Sequence, residues 1–321
     1  MLYGADIDEL NMYPLQQGKV LPSSAAMKKL KHLPEERQKI FLIDKHYEVF
    51  RDNKVKCRLE RLGKYYQVNP RLDMKKVLNF LFGTLLDEYP EYFRFYTYDG
   101  WVRLRNVLTD DWVVFDEELK VQLHGWGDPR LTGYELVDLF DWFAMQVPCD
   151  MVVFSDKADA LHLMSPSGWS AEGTLWQTFS MIHKDVKKAN GQHVIRSAEK
   201  MVDSLRSMNG AVERVGAISF RSTWELNRHP ENRPEDSWTW GDDQQVYLRF
   251  ERQTVMPLGD YFLFTIRSYY NDLTRPDRIE AAIRAVADVH KNAYPREFLA
   301  EHGPALYDFL KRRLATIEAD S

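Results

Sequence analysis

The chain has 321 residues and a net charge of −5, with 44% hydrophobic and 28% charged residues. This composition is typical of a globular protein with one large core or two domains, and the mild acidity argues against a nucleic-acid-binding surface. No apolar run reaches the roughly 18 residues of a transmembrane helix, and the acidic N-terminus is unlike a secretory signal. We therefore expect a cytoplasmic protein that does not bind membranes.

The cysteine and aromatic contents give two further bounds. Cys57 and Cys149 are too few and too far apart to suggest a disulfide framework, a zinc site or an iron–sulfur site. Aromatic residues reach 13%, with nine tryptophans. Such a chain can line a flat apolar cavity, although each single tryptophan is more simply explained as part of the core.

The first half of the chain is predicted to mix helices and short strands. Residues 1–45 show little periodicity, and the charged stretch 28–39 is predicted to be a solvated surface. Residues 40–51 could be a helix or a strand. The later elements are predicted to be a helix over 74–89, strands over 93–98, 102–107 and 112–115, and an amphipathic helix over 134–145.

The second half is predicted to contain two strands, a helical crossover and then three strands. The strands are expected at 151–154, 160–164, 212–222, 246–254 and 261–268, and the crossover helices at 175–188 and 192–208. A polar loop is expected over 228–243. The tail is predicted to be helical from 274 onward, with a break near Gly303 and Pro304.

This element order is that of a PAS domain, a small antiparallel sheet whose covering helices often enclose a ligand. We therefore expect an α+β fold, with a PAS-like antiparallel sheet, covering helices, an N-terminal α/β extension and C-terminal helices. The expected divisions are an extension over 1–145 that packs on the core, a core over 146–273 and a helical segment over 274–321.

Common nucleotide, metal and nucleophile motifs are absent from the sequence. It contains no GxGxxG, GxxxxGK[ST], HExxH, GxSxG or CxxC pattern. The chain therefore carries no visible nucleotide or flavin site, and electrons for any redox reaction would have to come from a partner protein.

His183 ends the apolar stretch 179–183, and its imidazole has two interpretations. It could be a core group bonded to a carbonyl, or it could project into a pocket as an axial ligand of a haem iron. His193, in the next predicted helix, is the alternative candidate for the ligand role.

Charged residues stand inside the apolar strand pattern of 246–269, where a simple hairpin would have them only at its ends. Apolar and polar side chains alternate along its first strand, and the charged residues are Arg249, Glu251, Arg252 and Arg267. They could form an internal ion pair across the hairpin, or they could serve a functional site.

The segment ERQT at 251–254, followed by FTIR at 264–267, resembles the C-terminal signature of the haem-dependent oxidative N-demethylase family, the α-subunit of dimethylamine monooxygenase. Three further segments of this chain resemble motifs of the family. They are the helix end at 85–93, the Pro-Ser-Gly-Trp loop at 166–169 with its spacing to His183, and the strand end at 221–224. The resemblance extends from about residue 85 to residue 273.

The resemblance implies a PAS-like haem pocket, activation of O2 and oxidative removal of a methyl group from a secondary amine as formaldehyde. It implies haem b as the bound cofactor, with NADPH, flavin and iron–sulfur centres only in a reductase partner. The sequence departs from the family pattern at 170–176 and 184–187, next to the expected pocket, so the substrate is left open.

The resemblance also suggests how individual residues would contact the haem. His183 is expected to bind the iron, with His193 as the alternative. The residues expected to bind the haem from the sheet are Arg221, Trp224, Arg252 and Arg267. The arginines would pair with the propionates, because a guanidinium can bind a carboxylate through two hydrogen bonds. Arg–Glu pairs on the sheet surface are the alternative explanation.

Glu251 is expected to be the catalytic residue that positions the substrate amine. A dialkylamine is a cation at neutral pH, and an apolar pocket excludes that cation unless a carboxylate pairs with it. The strand alternation puts Glu251 on the opposite face from Phe250, so Glu251 could instead face solvent and pair with Arg249 or Arg267. A bulge within 251–253 would weaken this objection.

The function we expect is that of a haem-dependent monooxygenase component that acts on a small amine with O2 and a partner reductase. One alternative is a haem-binding PAS-like sensor or carrier without turnover. Another is a protein that keeps the fold, has lost haem and acts by interaction alone.

Overall fold

The computed structural model describes residues 27–164, 170–183, 198–221, 246–292 and 296–319. The described residues form two antiparallel sheets and several helices, which confirms the predicted α+β fold. None of the described helices is both long enough and apolar enough to cross a bilayer.

The elements are named in chain order. The strands are β1 (Lys28–Lys29), β2 (Tyr66–Val68), β3 (Phe93–Tyr98), β4 (Trp101–Asn106), β5 (Trp112–Asp116), β6 (Val121–Gly125), β7 (Asp150–Phe154), β8 (Ala158–His162), β9 (Val212–Arg221), β10 (Tyr247–Leu258) and β11 (Tyr261–Asp272). The helices are α1 (Tyr47–Tyr65), α2 (Lys75–Glu88), α3 (Leu139–Met145), α4 (Ala171–Thr174), α5 (Phe179–Ile182), α6 (Ala198–Arg206), α7 (Ile279–Asn292) and α8 (Arg296–Ala319).

The larger sheet has the spatial order β1, β9, β10, β11, β7, β8 and β2. Its five central strands come from the second half of the chain in the predicted sequence order: the β7–β8 hairpin, helices α4 to α6, then β9, β10 and β11. Strands β1 and β2, from the N-terminal part, extend this sheet at its two edges. The division of the chain at 145 and 273 stays a prediction.

The two faces of the larger sheet are packed differently. The face that we call the crossover face packs Val212, Val255 and Phe262 against side chains of α5 and α6. The opposite face packs Phe250 and Tyr269 against α7 and α8, and its far end packs against α2 and α3. Side chains of β10 and β11 are therefore buried on both sides, as in a central layer.

Residues 37–44 cover part of the opposite face. Arg37 is only 9% exposed and forms an ion pair with Glu213 of β9. The solvated surface predicted over 28–39 is therefore wrong at Arg37, whose partner lies 176 residues later in the chain. The Glu88 carboxylate also holds this segment by accepting the backbone N–H groups of Ile40 (2.6 Å) and Phe41 (3.2 Å).

Some element boundaries differ from the sequence prediction. The helix predicted over 134–145 begins only at Leu139, because the Asp138 side chain accepts the backbone N–H of Asp141 and caps the helix there. Strand β6 and the second half of α1 were not predicted. Helix α8 continues through the predicted break at 303–304, and its later side chains pack with α7 in one core cluster.

The crossover helix predicted over 175–188 is not continuous in its described part. Helix α4 ends at Thr174, Trp176 has a positive φ of 72°, and α5 is a single turn. A bridge between Thr178 and Lys157 fixes this stretch to the β7–β8 hairpin. The short α5 is what carries His183 to the crossover face.

Candidate functional site

The crossover face carries a group of polar side chains that we call the polar row. Arg249, Glu251 and Gln253 alternate along β10 with side chains that point to the opposite face. The strand pairing sets Ser268 of β11 opposite Glu251, and Arg214 of β9 opposite Gln253. These five residues make up the polar row.

Glu251 is bound on both carboxylate oxygens by residues of its own strand. Oε1 lies 2.6 Å from a terminal nitrogen of Arg249, and Oε2 accepts a 2.7 Å hydrogen bond from the Gln253 amide. The pairing with Arg249 that the sequence offered as an alternative is present. The side chain is 12% exposed, so it is enclosed rather than solvated. The register of β9 against β10 shifts between Arg249 and Glu251, which places an irregularity beside Glu251.

Arg249 uses its donors within the polar row and beside it. Besides binding Glu251, its Nη2 donates to the Ser268 hydroxyl at 2.9 Å, and its Nε donates to the Tyr270 hydroxyl at 3.2 Å. Burial lowers the pKa of Arg249, but the Glu251 carboxylate and the Tyr270 hydroxyl raise it, and the net shift is upward. Arg249 is therefore a permanent cation whose charge is compensated by Glu251.

Arg214 is the second cation of the polar row, and most of its donors are unused. Its Nε donates to the Gln253 Oε1 at 2.6 Å. Its two terminal nitrogens donate to no residue in the described part of the chain. Burial lowers the pKa of Arg214, although the nearby Glu251 carboxylate raises it. An arginine pKa starts so high that the guanidinium stays charged.

His183 follows α5, whose N-terminus is capped by Thr178. Its Nδ1 lies 2.8 Å from the Phe179 carbonyl oxygen. Because a carbonyl oxygen only accepts, Nδ1 carries the proton and Nε2 carries the lone pair. The imidazole stacks on the Phe179 ring with centroids 4.0 Å apart, and Phe179 packs in turn against Phe154 of β7. The ring orientation is thus fixed from two directions.

The surroundings of His183 keep its imidazole neutral. Burial lowers the pKa of His183 below its ordinary 6.5, the Phe179 carbonyl raises it, Arg214 lowers it and Glu251 raises it, with a net downward shift. The carbonyl bond of the first interpretation is present, and it leaves Nε2 without a hydrogen bond to any described residue. A neutral imidazole oriented in this way by a carbonyl is the form that binds metals.

Arg252 and Arg267 lie on the opposite face, away from His183. Arg252 forms an ion pair with Glu213 and donates to three backbone carbonyls, those of Arg37, Lys39 and Ile40. Arg267 donates to the Leu42 carbonyl and pairs with Asp44 at 2.7 Å. Each is 2% exposed. Their role at a haem stays a prediction, and a propionate would have to displace these protein acceptors.

The remaining predicted haem residues are only partly described. Arg221 ends β9 opposite Tyr247, and its side chain lies outside the described part of the structure. Trp224 and His193 lie outside the described residues altogether. Their predicted roles stay predictions.

The described residues at the crossover face offer two of the groups that a haem needs, an axial ligand and apolar contacts. Haem iron takes one or two axial protein ligands, and His183 offers a neutral imidazole. A porphyrin also needs apolar contacts, which Phe179 and Ile182 offer where they pack on this face. Among the described residues, no group of three or more His, Cys, Asp or Glu side chains could hold a bare metal ion.

Sequence reasoning missed Arg214 as a site residue. The available signal was its position in the strand predicted over 212–222, two residues after Val212 and on the same strand face. Its contact with Gln253 depends on how β9 pairs with β10 across a long connection, and the sequence does not specify that register.

Comparison with protein families gives one match that covers most of the chain. The family model described as haem-dependent oxidative N-demethylase, alpha subunit-like, matches residues 30–297. The match extends beyond the segment of resemblance at both ends, and it includes every predicted site residue. A search of curated proteins finds no match for the chain.

Proposed function

Because the chain belongs to the haem-dependent oxidative N-demethylase, alpha subunit-like family, we propose that it is the haem-binding component of a monooxygenase. The proposed reaction removes a methyl group from a small secondary amine. Bound haem b would activate O2 with electrons from a partner, and the methyl carbon would leave as formaldehyde.

The observation that carries this proposal is the state of His183. Its Nδ1 proton is held by the Phe179 carbonyl, and burial keeps the ring neutral. The Nε2 lone pair can therefore bind iron without a proton first being removed. The stacked Phe179 ring would hold the imidazole plane while the ligand binds.

Glu251 is proposed to position the amine. A carboxylate has about four lone-pair sites, and Arg249 and Gln253 use two of those of Glu251. An ammonium N–H could bind at a remaining site, or Glu251 could accept its proton. A cationic substrate would then compete with Arg249 for the Glu251 carboxylate.

The strand order supports a PAS-like core over 146–273. Strands β8, β7, β11, β10 and β9 are neighbours in that order, and α4 to α6 connect β8 to β9. In such a core the ligand lies between the crossover helices and the sheet, which is where His183 and the polar row meet.

The electrons are proposed to come from a partner reductase that carries NADPH, flavin and iron–sulfur centres. The sequence has no nucleotide or flavin motif and only two cysteines, which are both buried and form no disulfide. The sequence therefore gives no sign that this chain supplies its own electrons.

The alternative of a haem-binding sensor or carrier is favoured by one observation. Glu251 is already neutralised by Arg249, so the polar row offers no uncompensated acid for an amine. Two measurements separate the proposals. A Soret band in protein produced with a haem supply tests haem binding, and formaldehyde release from dimethylamine with NADPH and a reductase tests turnover. A Soret band without formaldehyde would favour the sensor or carrier.

A further inference from the structure

We propose that Arg214 binds a carboxylate beside His183, either a haem propionate or an acid group of the substrate. This inference rests on the proposed function and names the anion-binding residue of the same site. The sequence assigned that role to arginines at 221, 252 and 267, and not to Arg214.

The strand pairing brings Arg214 close to α5. Val212 pairs with Val255 and Arg214 pairs with Gln253, with regular register between the two pairs. The two valines belong to the core cluster against which Phe179 and Ile182 of α5 pack. Arg214 is two residues further along the same strand face, so its side chain extends from this cluster into the polar row.

The donors of Arg214 are arranged for an incoming anion. Nε is fixed by Gln253, which orients the guanidinium plane, and both terminal nitrogens have no acceptor among the described residues. Two parallel N–H groups of a guanidinium match the two oxygens of a carboxylate. Arg249 is less suited to this role, because its Nε is bonded to Tyr270, its Nη2 is bonded to Glu251 and Ser268, and its charge is already paired with Glu251.

The charge of the site also favours an anion. The polar row contains two guanidinium groups, Arg214 and Arg249, and a single carboxylate, Glu251. Glu251 forms its ion pair with Arg249 and acts on Arg214 only through space, so Arg214 has no counter-ion in direct contact among the described residues. A partly buried cation is unfavourable without such a counter-ion, so a bound carboxylate would stabilise the site.

Arg252 and Arg267 are placed less favourably than Arg214 for binding an anion beside His183. Both lie on the opposite face of the sheet, and Glu213, Asp44 and backbone carbonyls accept from them. A propionate that reached them would lie on the far side of the sheet from His183. A carboxylate that binds the terminal nitrogens of Arg214 would not have to displace a described acceptor.

The test uses the full-length protein and two metal-free porphyrins, so that iron ligation does not contribute. Protoporphyrin IX carries the propionates, and its dimethyl ester has them blocked. Arg214→Gln should weaken the binding of protoporphyrin IX by about 10- to 100-fold, the effect of a charge-assisted hydrogen bond, and should leave the binding of the ester unchanged. Arg214→Lys keeps the charge, so its affinity for protoporphyrin IX should lie between those of the wild type and Arg214→Gln. Arg284→Gln, an exposed site on α7, is the matched control.

A second arm tests the substrate as the source of the carboxylate. Calorimetric titration of wild-type protein and Arg214→Gln compares N-methylglycine, which has an acid group, with dimethylamine, which has none. If Arg214 binds the substrate, the variant should lose affinity for N-methylglycine alone, while protoporphyrin IX binding should stay at the wild-type level.

The outcomes distinguish this inference from the proposed function. If the wild type shows no Soret band with haem but protoporphyrin IX binding still depends on Arg214, haem function fails and the carboxylate site stands. If Arg214→Gln leaves both protoporphyrin IX and N-methylglycine binding within twofold of wild type, the assignment of Arg214 is overturned, whatever the haem spectrum shows.

Discussion

Arg252 and Arg267 stand directly opposite each other on β10 and β11, and both project to the face that residues 37–44 cover. Like charges in this position are destabilising unless each is compensated. Glu213 compensates Arg252 and Asp44 compensates Arg267. The arginine pair therefore fixes an N-terminal segment to the central sheet.

The first prediction concerns Arg252, which is 2% exposed. Arg252→Gln should lower the free energy of unfolding by about 3–5 kcal/mol, because it removes one partner of a buried ion pair. It also removes the guanidinium that donates to three backbone carbonyls. Urea denaturation measures this loss, with Arg284→Gln as an exposed control expected within about 0.5 kcal/mol of wild type. A stable Arg252→Gln protein with reduced haem capacity would instead support the propionate role.

The second prediction concerns His183 as the axial ligand. His183→Ala should abolish the Soret band or shift it strongly, since it removes the imidazole whose Nε2 is directed away from the Phe179 bond. His124→Ala, at a half-buried ring of β6 in the smaller sheet, is the control and should leave the spectrum unchanged. If His183→Ala keeps a wild-type spectrum and His193→Ala loses it, His193 is the ligand.

The pH dependence of that ligation has a defined sign. The pKa of His183 is below its ordinary 6.5 because burial disfavours the imidazolium. As pH falls, the folded state therefore keeps the Nε2 lone pair to a lower pH than a free imidazole would. The Soret band should persist below pH 6.5, as an acid titration of the spectrum would show. Loss of the band centred at pH 6.5 or above would contradict the shift.

The third prediction concerns Glu251. Glu251→Gln keeps the shape of the side chain and removes its charge, so amine-dependent formaldehyde formation should fall strongly while haem content per protein stays constant. Glu172→Gln is the matched control, because Glu172 also pairs with an arginine but is exposed. Normal turnover, or joint loss of haem and activity, would make Glu251 a structural partner of Arg249.

The fourth prediction uses the carboxyl group of Glu88. Burial raises its pKa from 4.5 to about 7, although two backbone N–H groups oppose the shift. The folded state then holds the proton more tightly than the unfolded state, so stability should fall as pH rises from about 4.5 to 7. Glu88→Gln lacks this dependence. Its stability relative to wild type should rise over that interval by on the order of 3 kcal/mol. A difference that is flat with pH would show that the pKa is not raised.

The strand pattern predicted the two faces of β10 correctly. Phe250 stacks on Tyr269 in the core at a centroid distance of 5.2 Å, and Glu251 lies on the other face, beside Arg249. A two-residue period is local, so the sequence alone specifies which side chains share a face. It does not specify what covers each face. That is why Arg252 and Arg267 could be grouped with His183 before the structure separated them.

Contacts between residues far apart in the chain could not be predicted from the sequence. The stretch 28–39 looked solvated because charged residues are usually exposed, and the acid that buries Arg37 comes from β9. His183 was singled out by its position after an apolar stretch, and its role as a ligand stays a prediction. The bond that fixes its tautomer depends on α5 being one short turn, whereas the sequence indicated a long helix.

The shared sheet has a practical consequence for anyone who wants a shorter version of this protein. Cutting the chain at residue 145 removes β2 and so opens the hydrogen-bonding edge of β8 to other molecules. It also removes the carbonyls and the Asp44 carboxylate that surround the two opposed guanidinium groups. A fragment of 146–273 would thus lose two strands of its sheet, and we expect it to aggregate before it could be assayed.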